Sequence, residues 1–66
     1  MQLIVNGEPA ELAEGTTVAV LVAGRRAGHS RVAVAVNGGV VPRSTWETTP
    51  LSPGDTVEVL APTAGG

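Results

Sequence analysis

Apolar and polar positions alternate at both ends of the chain. Met1, Leu3 and Val5 share one face of a strand, with Gln2, Ile4 and Asn6 on the other. Val57, Val59 and Ala61 oppose Thr56, Glu58 and Leu60 in the same way. Asn6-Gly7 predicts a type I′ hairpin turn, because both residue types tolerate positive φ. Glu8 to Leu12 then returns antiparallel, and Pro9, with no N–H to give, assigns it to a sheet edge. Past Glu14-Gly15, Thr17 suits a helix N-cap, and Val18, Leu21 and Val22 fall on one helical face. Gly24 and Gly28 interrupt the pattern, so the helix is expected to fade between them. Val32, Val34 and Val36 alternate with Ala33 and Ala35 as a third strand. Asn37-Gly38-Gly39 reads as a second turn, and Val40-Val41 as a very short strand ended by Pro42. Arg43 to Pro50 is polar, a turn or a single 3₁₀ turn around Trp46. Ser52-Pro53-Gly54-Asp55 is a tight turn into the last strand.

One helix with four to five short strands predicts an α+β roll, a mixed sheet packed on one helix. The first and last strands are the most apolar and are expected side by side and parallel at the sheet centre. Leu3, Val5, Leu21, Val34, Val57 and Val59 are the predicted core, and Trp46 is expected as a lid on it, since an indole supplies much packing area. With 66 residues there is one domain, 1–66. A chain this size buries only about 60% of its unfolded surface, so the core is modest. Eleven Val with no Phe or Tyr fit a sheet-rich, aliphatic core.

Beyond the last strand, Pro62 stops pairing and Thr63-Ala64-Gly65-Gly66 follows. Residues 61–66 are expected to form a flexible tail. Gly65 and Gly66 have no Cβ, so such a terminus can thread a narrow channel and present its carboxylate to another protein. A frayed terminus is the plainer reading.

Composition removes other classes of function. The chain has no Cys, hence no disulfide, thiolate nucleophile or thiolate metal site, and its single His29 rules out a His-based metal cluster. Six acidic residues against four Arg and no Lys give a net charge of −2, against nucleic acid as a partner. No apolar run approaches a membrane span, and the opening residues read as a strand rather than a basic leader. A soluble, cytoplasmic protein is expected.

Several stretches together resemble the sulfur carrier protein of thiamin (thiazole) biosynthesis, the ThiS family, with its ubiquitin-like β-grasp fold. They are Val5-Asn6-Gly7-Glu8, Gly15-Thr16-Thr17-Val18, Val34-Ala35-Val36-Asn37-Gly38, Val40-Val41-Pro42-Arg43-Ser44, Trp46, Gly54-Asp55-Thr56-Val57-Glu58 and Gly65-Gly66. The likeness runs in order through the whole chain. It departs at Gly24-Arg25-Arg26-Ala27-Gly28, where the family usually has a longer helix.

The resemblance implies a cycle on the Gly66 carboxylate. An E1-like adenylating enzyme would use ATP to form the acyl-adenylate; no cofactor would be bound permanently. A persulfide from a cysteine desulfurase or another donor would convert the adenylate to a thiocarboxylate, which would give its sulfur to thiazole synthase. The carrier would be a protein co-substrate, not an enzyme. Gly65 and Ala64 would thread into the partner. A carrier without Cys has to hold sulfur elsewhere, which agrees with this cycle.

On the sheet face away from the core, Leu60 and Ile4, with Ala33 and Ala35, are candidates for partner docking, although scattered surface apolar residues are normal. Arg43 is a candidate for an acidic site on a partner, or a solvated arginine. His29 and Arg25-Arg26 read as loop surface, and the two Asn-Gly pairs as turn chemistry alone. Three alternatives stay open. A sister carrier for molybdopterin or amino-acid biosynthesis shares the fold and Gly-Gly; a lysine-conjugating modifier starts from the same adenylate; and a non-covalent β-grasp interaction module would leave the terminus idle.

Overall fold

Seven elements follow one another in the computed structural model, which describes residues 1–24 and 32–60. They are β1 (Gln2–Val5), β2 (Glu8–Glu11), α1 (Val18–Ala23), β3 (Ala33–Val36), β4 (Gly39–Val41), the 3₁₀ helix η1 (Arg43–Thr48) and β5 (Thr56–Leu60). The strands form one sheet in the order β2-β1-β5-β3-β4. β1 and β5 run parallel, with Ile4 opposite Thr56 and Val5 opposite Val57. Every other pair is antiparallel. The first and last strands are therefore neighbours and parallel as expected, and β5 lies at the centre.

Alternation decides what each strand buries. Leu3, Val5, Val34, Val57 and Val59 turn inward, and the helix adds Val18 and Leu21. All six residues predicted for the core are in it. Thr17 Oγ1 accepts the Val20 N–H at 3.3 Å and caps α1. Three Val in six residues oppose helix formation by up to about 0.7 kcal/mol each. Burying Val18 and Leu21 returns roughly 1.5–3 kcal/mol apiece, so packing outweighs propensity. Alone, a helix this short would not persist.

The stretch before β5 does more than its polarity suggested. The 3₁₀ segment extends over six residues, Arg43–Thr48, rather than a single turn. Val18 donates to the Thr49 carbonyl at 2.9 Å and Leu51 to the Thr16 carbonyl at 2.8 Å, tying this stretch to the helix start. Leu51 is buried, a core residue that a lone apolar position among polar ones did not announce. Trp46 is buried as the expected lid, its Nε1–H donating to the Val41 carbonyl at 2.9 Å.

Pro9 lies on an edge strand, as read. Leu12 donates to the Met1 carbonyl at 2.8 Å, which fixes the phase of the hairpin. By alternation Ile4 and Pro9 form a non-hydrogen-bonded pair, so the missing N–H costs the ladder nothing.

Both Asn-Gly turns take the left-handed backbone, with φ of 52° and 82° at Asn6-Gly7 and 51° and 85° at Asn37-Gly38. The second turn comprises two residues, because Gly39 already pairs with Val36. Reading these asparagines as turn chemistry alone is corrected by the structure. The Asn37 side chain accepts the Thr56 N–H at 3.0 Å and donates to Asp55 Oδ1 at 3.0 Å. Asn6 makes two bonds to Val59. Both turns grip the central strand.

The described helix ends at Ala23 with Gly24 as its C-cap. The expectations for Arg25-Arg26, His29 and the stretch towards Gly28 lie outside the described residues. So do those for the flexible tail 61–66, including Ala64, Gly65 and Gly66.

Candidate functional site

With one face of the sheet closed by α1 and η1, the opposite face is open. Its apolar side chains follow from the register. Leu60 on β5 sits directly opposite Ala33 on β3, and Ala35 lies between Glu58 on β5 and Val40 on β4. Small Ala side chains thus floor a shallow strip between Leu60, 59% exposed, and Val40, 78% exposed. Ile4 is on the same face but beside Thr56, four residues upstream of Leu60. At about 3.3 Å per residue that is roughly 13 Å along the strand, and Ile4 is only 36% exposed. The face therefore holds a Leu60-Ala33-Ala35-Val40 strip, with Ile4 and Pro9 opposite one another at the far side.

Val40 was missed by the sequence reading. Its signal was present: a two-residue Asn37-Gly38 turn puts Val36 opposite Gly39, and so Val40 opposite Ala35 on the outer face.

Arg43 is exposed on η1 rather than on the sheet, next to where β4 ends. Its guanidinium carbon lies 4.7 Å from the centroid of the Trp46 ring, a cation–π distance. Because Trp46 is fixed by the core and by its bond to Val41, it holds the arginine against the body.

β5 ends at Leu60, immediately before 61–66, so the strand leading to Gly66 is the one most enclosed by others. Neighbours on both sides and the two asparagines hold it. Among the described residues, no three His, Cys, Asp or Glu side chains gather to hold a metal ion. No helix among them is long and apolar enough to cross a membrane.

The geometry alone does not choose among the alternatives, so the choice rests on likeness. The ThiS family model matches residues 3–66. The chain belongs to the ThiS family. Two solved structures agree. The crystal structure of the thiamine biosynthesis protein ThiS from Geobacter metallireducens is 36% identical over the whole of both chains, with a TM-score of 0.85. The solution structure of a thiamine biosynthesis protein from the same organism is 35% identical, covering all of this chain and 88% of that one, with a TM-score of 0.76. No curated protein matches the chain.

Membership makes this ThiS protein a β-grasp sulfur carrier of thiamin biosynthesis, a small carrier rather than a catalyst.

Proposed function

We propose that this ThiS protein carries sulfur as a thiocarboxylate on Gly66. The observation that supports it most directly is the family match through residue 66, which takes in Gly65-Gly66. A carboxylate is a poor electrophile. An E1-like adenylating enzyme overcomes this with ATP: a Gly66 oxygen attacks the α-phosphorus, the bond to pyrophosphate breaks, and AMP becomes the leaving group. The terminal sulfur of a persulfide then attacks the acyl carbon and AMP departs. A thiol then attacks the donor's own sulfur in the resulting S–S bond, forming a new disulfide with the donor and freeing the thiocarboxylate as the leaving group. The persulfide comes from a cysteine desulfurase or another donor, and thiazole synthase takes the sulfur. A cytoplasmic setting, where ATP and thiols are at hand, goes with this cycle.

In this reading the body docks through the open sheet face, with Leu60, Val40 and Ile4 as apolar contacts and Arg43 meeting an acidic group of the adenylating enzyme. Ala64 and Gly65 enter its channel. Ordering four or five tail residues costs about 1–2 kcal/mol each in backbone entropy, about 4–10 kcal/mol in all. Docking of the body has to cover that cost, which leaves each complex releasable, as a carrier that visits several partners requires.

The test is incubation with the cognate adenylating enzyme, ATP, and a cysteine desulfurase with cysteine. Intact-mass analysis should show one oxygen replaced by sulfur, on the C-terminal peptide alone. Sulfur on any other peptide, or none at all, would refute the proposal.

A further inference from the structure

We infer that Asn6 is a positioning residue for the terminal segment, acting through Val59; the inference rests on the carrier reading above. The ladder between β1 and β5 shows why. Ile4 donates to the Asp55 carbonyl at 2.9 Å and Asn6 to the Val57 carbonyl at 2.9 Å. At Asn6 the backbone turns away into Asn6-Gly7, and β1 has no residue for the next rung. The side chain of Asn6 takes that rung. Its Oδ1 accepts the Val59 N–H at 2.8 Å and its Nδ2 donates to the Val59 carbonyl at 3.3 Å.

Val59 needs this partner. The Thr56 N–H and carbonyl both bond to Asn37, on the β3 side. By alternation Glu58 and Leu60 also face β3, and Val57 and Val59 face β1. Val34 and Val59 are thus a non-hydrogen-bonded pair across β3 and β5. Without the Asn6 amide, both polar groups of Val59 would point to where β1 has already ended. A two-way amide bond fixes the peptide plane as well as the strand's position. Among the described residues, it is the last tie on the β1 side before the chain passes into 61–66. The same residue type at the equivalent place in the other hairpin, Asn37, holds the start of β5 instead. One asparagine fixes where the strand enters; the other fixes the direction in which it leaves.

Reaction at the end of this chain depends on where the carboxylate arrives, and a misplacement of about 1 Å can cost on the order of a hundredfold in rate. Asn6 therefore bears on turnover within the docked complex, not on docking.

Asn6→Gly removes the amide and keeps a residue that accepts φ of 52°. Asn37→Gly does the same at the other turn and serves as the control for general loosening of β5. Pyrophosphate release by the adenylating enzyme with ATP is measured against carrier concentration, at a temperature where circular dichroism shows each variant folded. The expected result for Asn6→Gly is a kcat lower by about ten- to a hundredfold with KM unchanged, and for Asn37→Gly a kcat near that of the unaltered chain. An unchanged kcat for Asn6→Gly, or an equal fall for Asn37→Gly, would overturn the inference and leave the carrier reading standing. No release with the unaltered chain would overturn both. If Asn6→Gly does not fold, Asn6→Asp keeps an acceptor for the Val59 N–H and puts a charged carboxylate oxygen where the donor to the Val59 carbonyl was. A lower kcat at constant KM then supports the inference, and an unchanged kcat ends it.

Discussion

Val59 is 7% exposed and Leu60, the next residue of β5, is 59% exposed. Two adjacent aliphatic residues thus serve opposite faces of one strand, Val59 packed across from Val34 and Leu60 open beside Ala33. Stability belongs to the first, and the second is the residue proposed for docking. Val59→Ala should cost about 2 kcal/mol through lost burial and a cavity, and Leu60→Ala under about 0.5 kcal/mol. Chemical denaturation ranks them directly. If Leu60→Ala were the more damaging, the two faces of β5 would have been assigned the wrong way round.

The converse holds for docking. Leu60→Ala and Val40→Ala should each weaken binding to the adenylating enzyme by about 1–2 kcal/mol, roughly five- to thirtyfold in Kd, whereas Ile4→Ala, on the far side and half-covered, should cost less. Isothermal titration at matched temperature reads all three. Equal and negligible effects at Leu60 and Val40 would move the docking surface off this face.

Trp46 joins three parts of the molecule: the core, the end of β4 and Arg43. Trp46→Ala should cost about 3–5 kcal/mol. A domain of this length commonly has only about 3–10 kcal/mol in total, so that variant sits near or past unfolding at 25 °C. Trp46→Phe keeps most of the ring area and loses the bond to Val41, about 1 kcal/mol. Arg43→Ala gives up an exposed cation–π contact, about 0.5–1 kcal/mol. Urea midpoints should fall in the order Arg43→Ala, Trp46→Phe, Trp46→Ala from highest to lowest. A midpoint for Trp46→Ala close to that of the unaltered chain would mean that the indole is not the lid of this core.

Much of this arrangement was legible before the structure, for a physical reason in each case. Period-two alternation survives in any half-buried strand, so Leu3, Val5, Val57 and Val59 declared their faces. Thr17, Asn6-Gly7 and Pro9 act through their own backbone constraints and needed no distant partner. The misses are contacts that a local pattern does not encode. Asn6 bonds to a residue 53 positions away, and its turn chemistry would be the same without that bond. Val40 depended on whether the second turn has two residues or three, because one residue of register exchanges the faces of a strand. Leu51 is a single apolar position with no periodicity around it. The chemistry proposed for Gly65-Gly66 rests on the residue types and on the family likeness, not on any geometry of the fold.

The carboxylate itself supplies the last prediction. Deleting Gly66 withdraws the terminus by about 3.3–3.6 Å of chain reach. Attack on the α-phosphorus requires the reacting atoms about 3–3.5 Å apart, so the loss is as large as the contact it has to make. Docking should survive, because Leu60, Val40 and Arg43 belong to the folded body and not to the tail. The shortened protein should therefore bind the adenylating enzyme with little change in Kd and compete with the unaltered chain, while acquiring no sulfur in the mass assay. Loss of binding together with activity would place much of the recognition in the tail. Sulfur transfer to the shortened chain at the original rate would remove Gly66 from the chemistry and favour an interaction module whose terminus is idle.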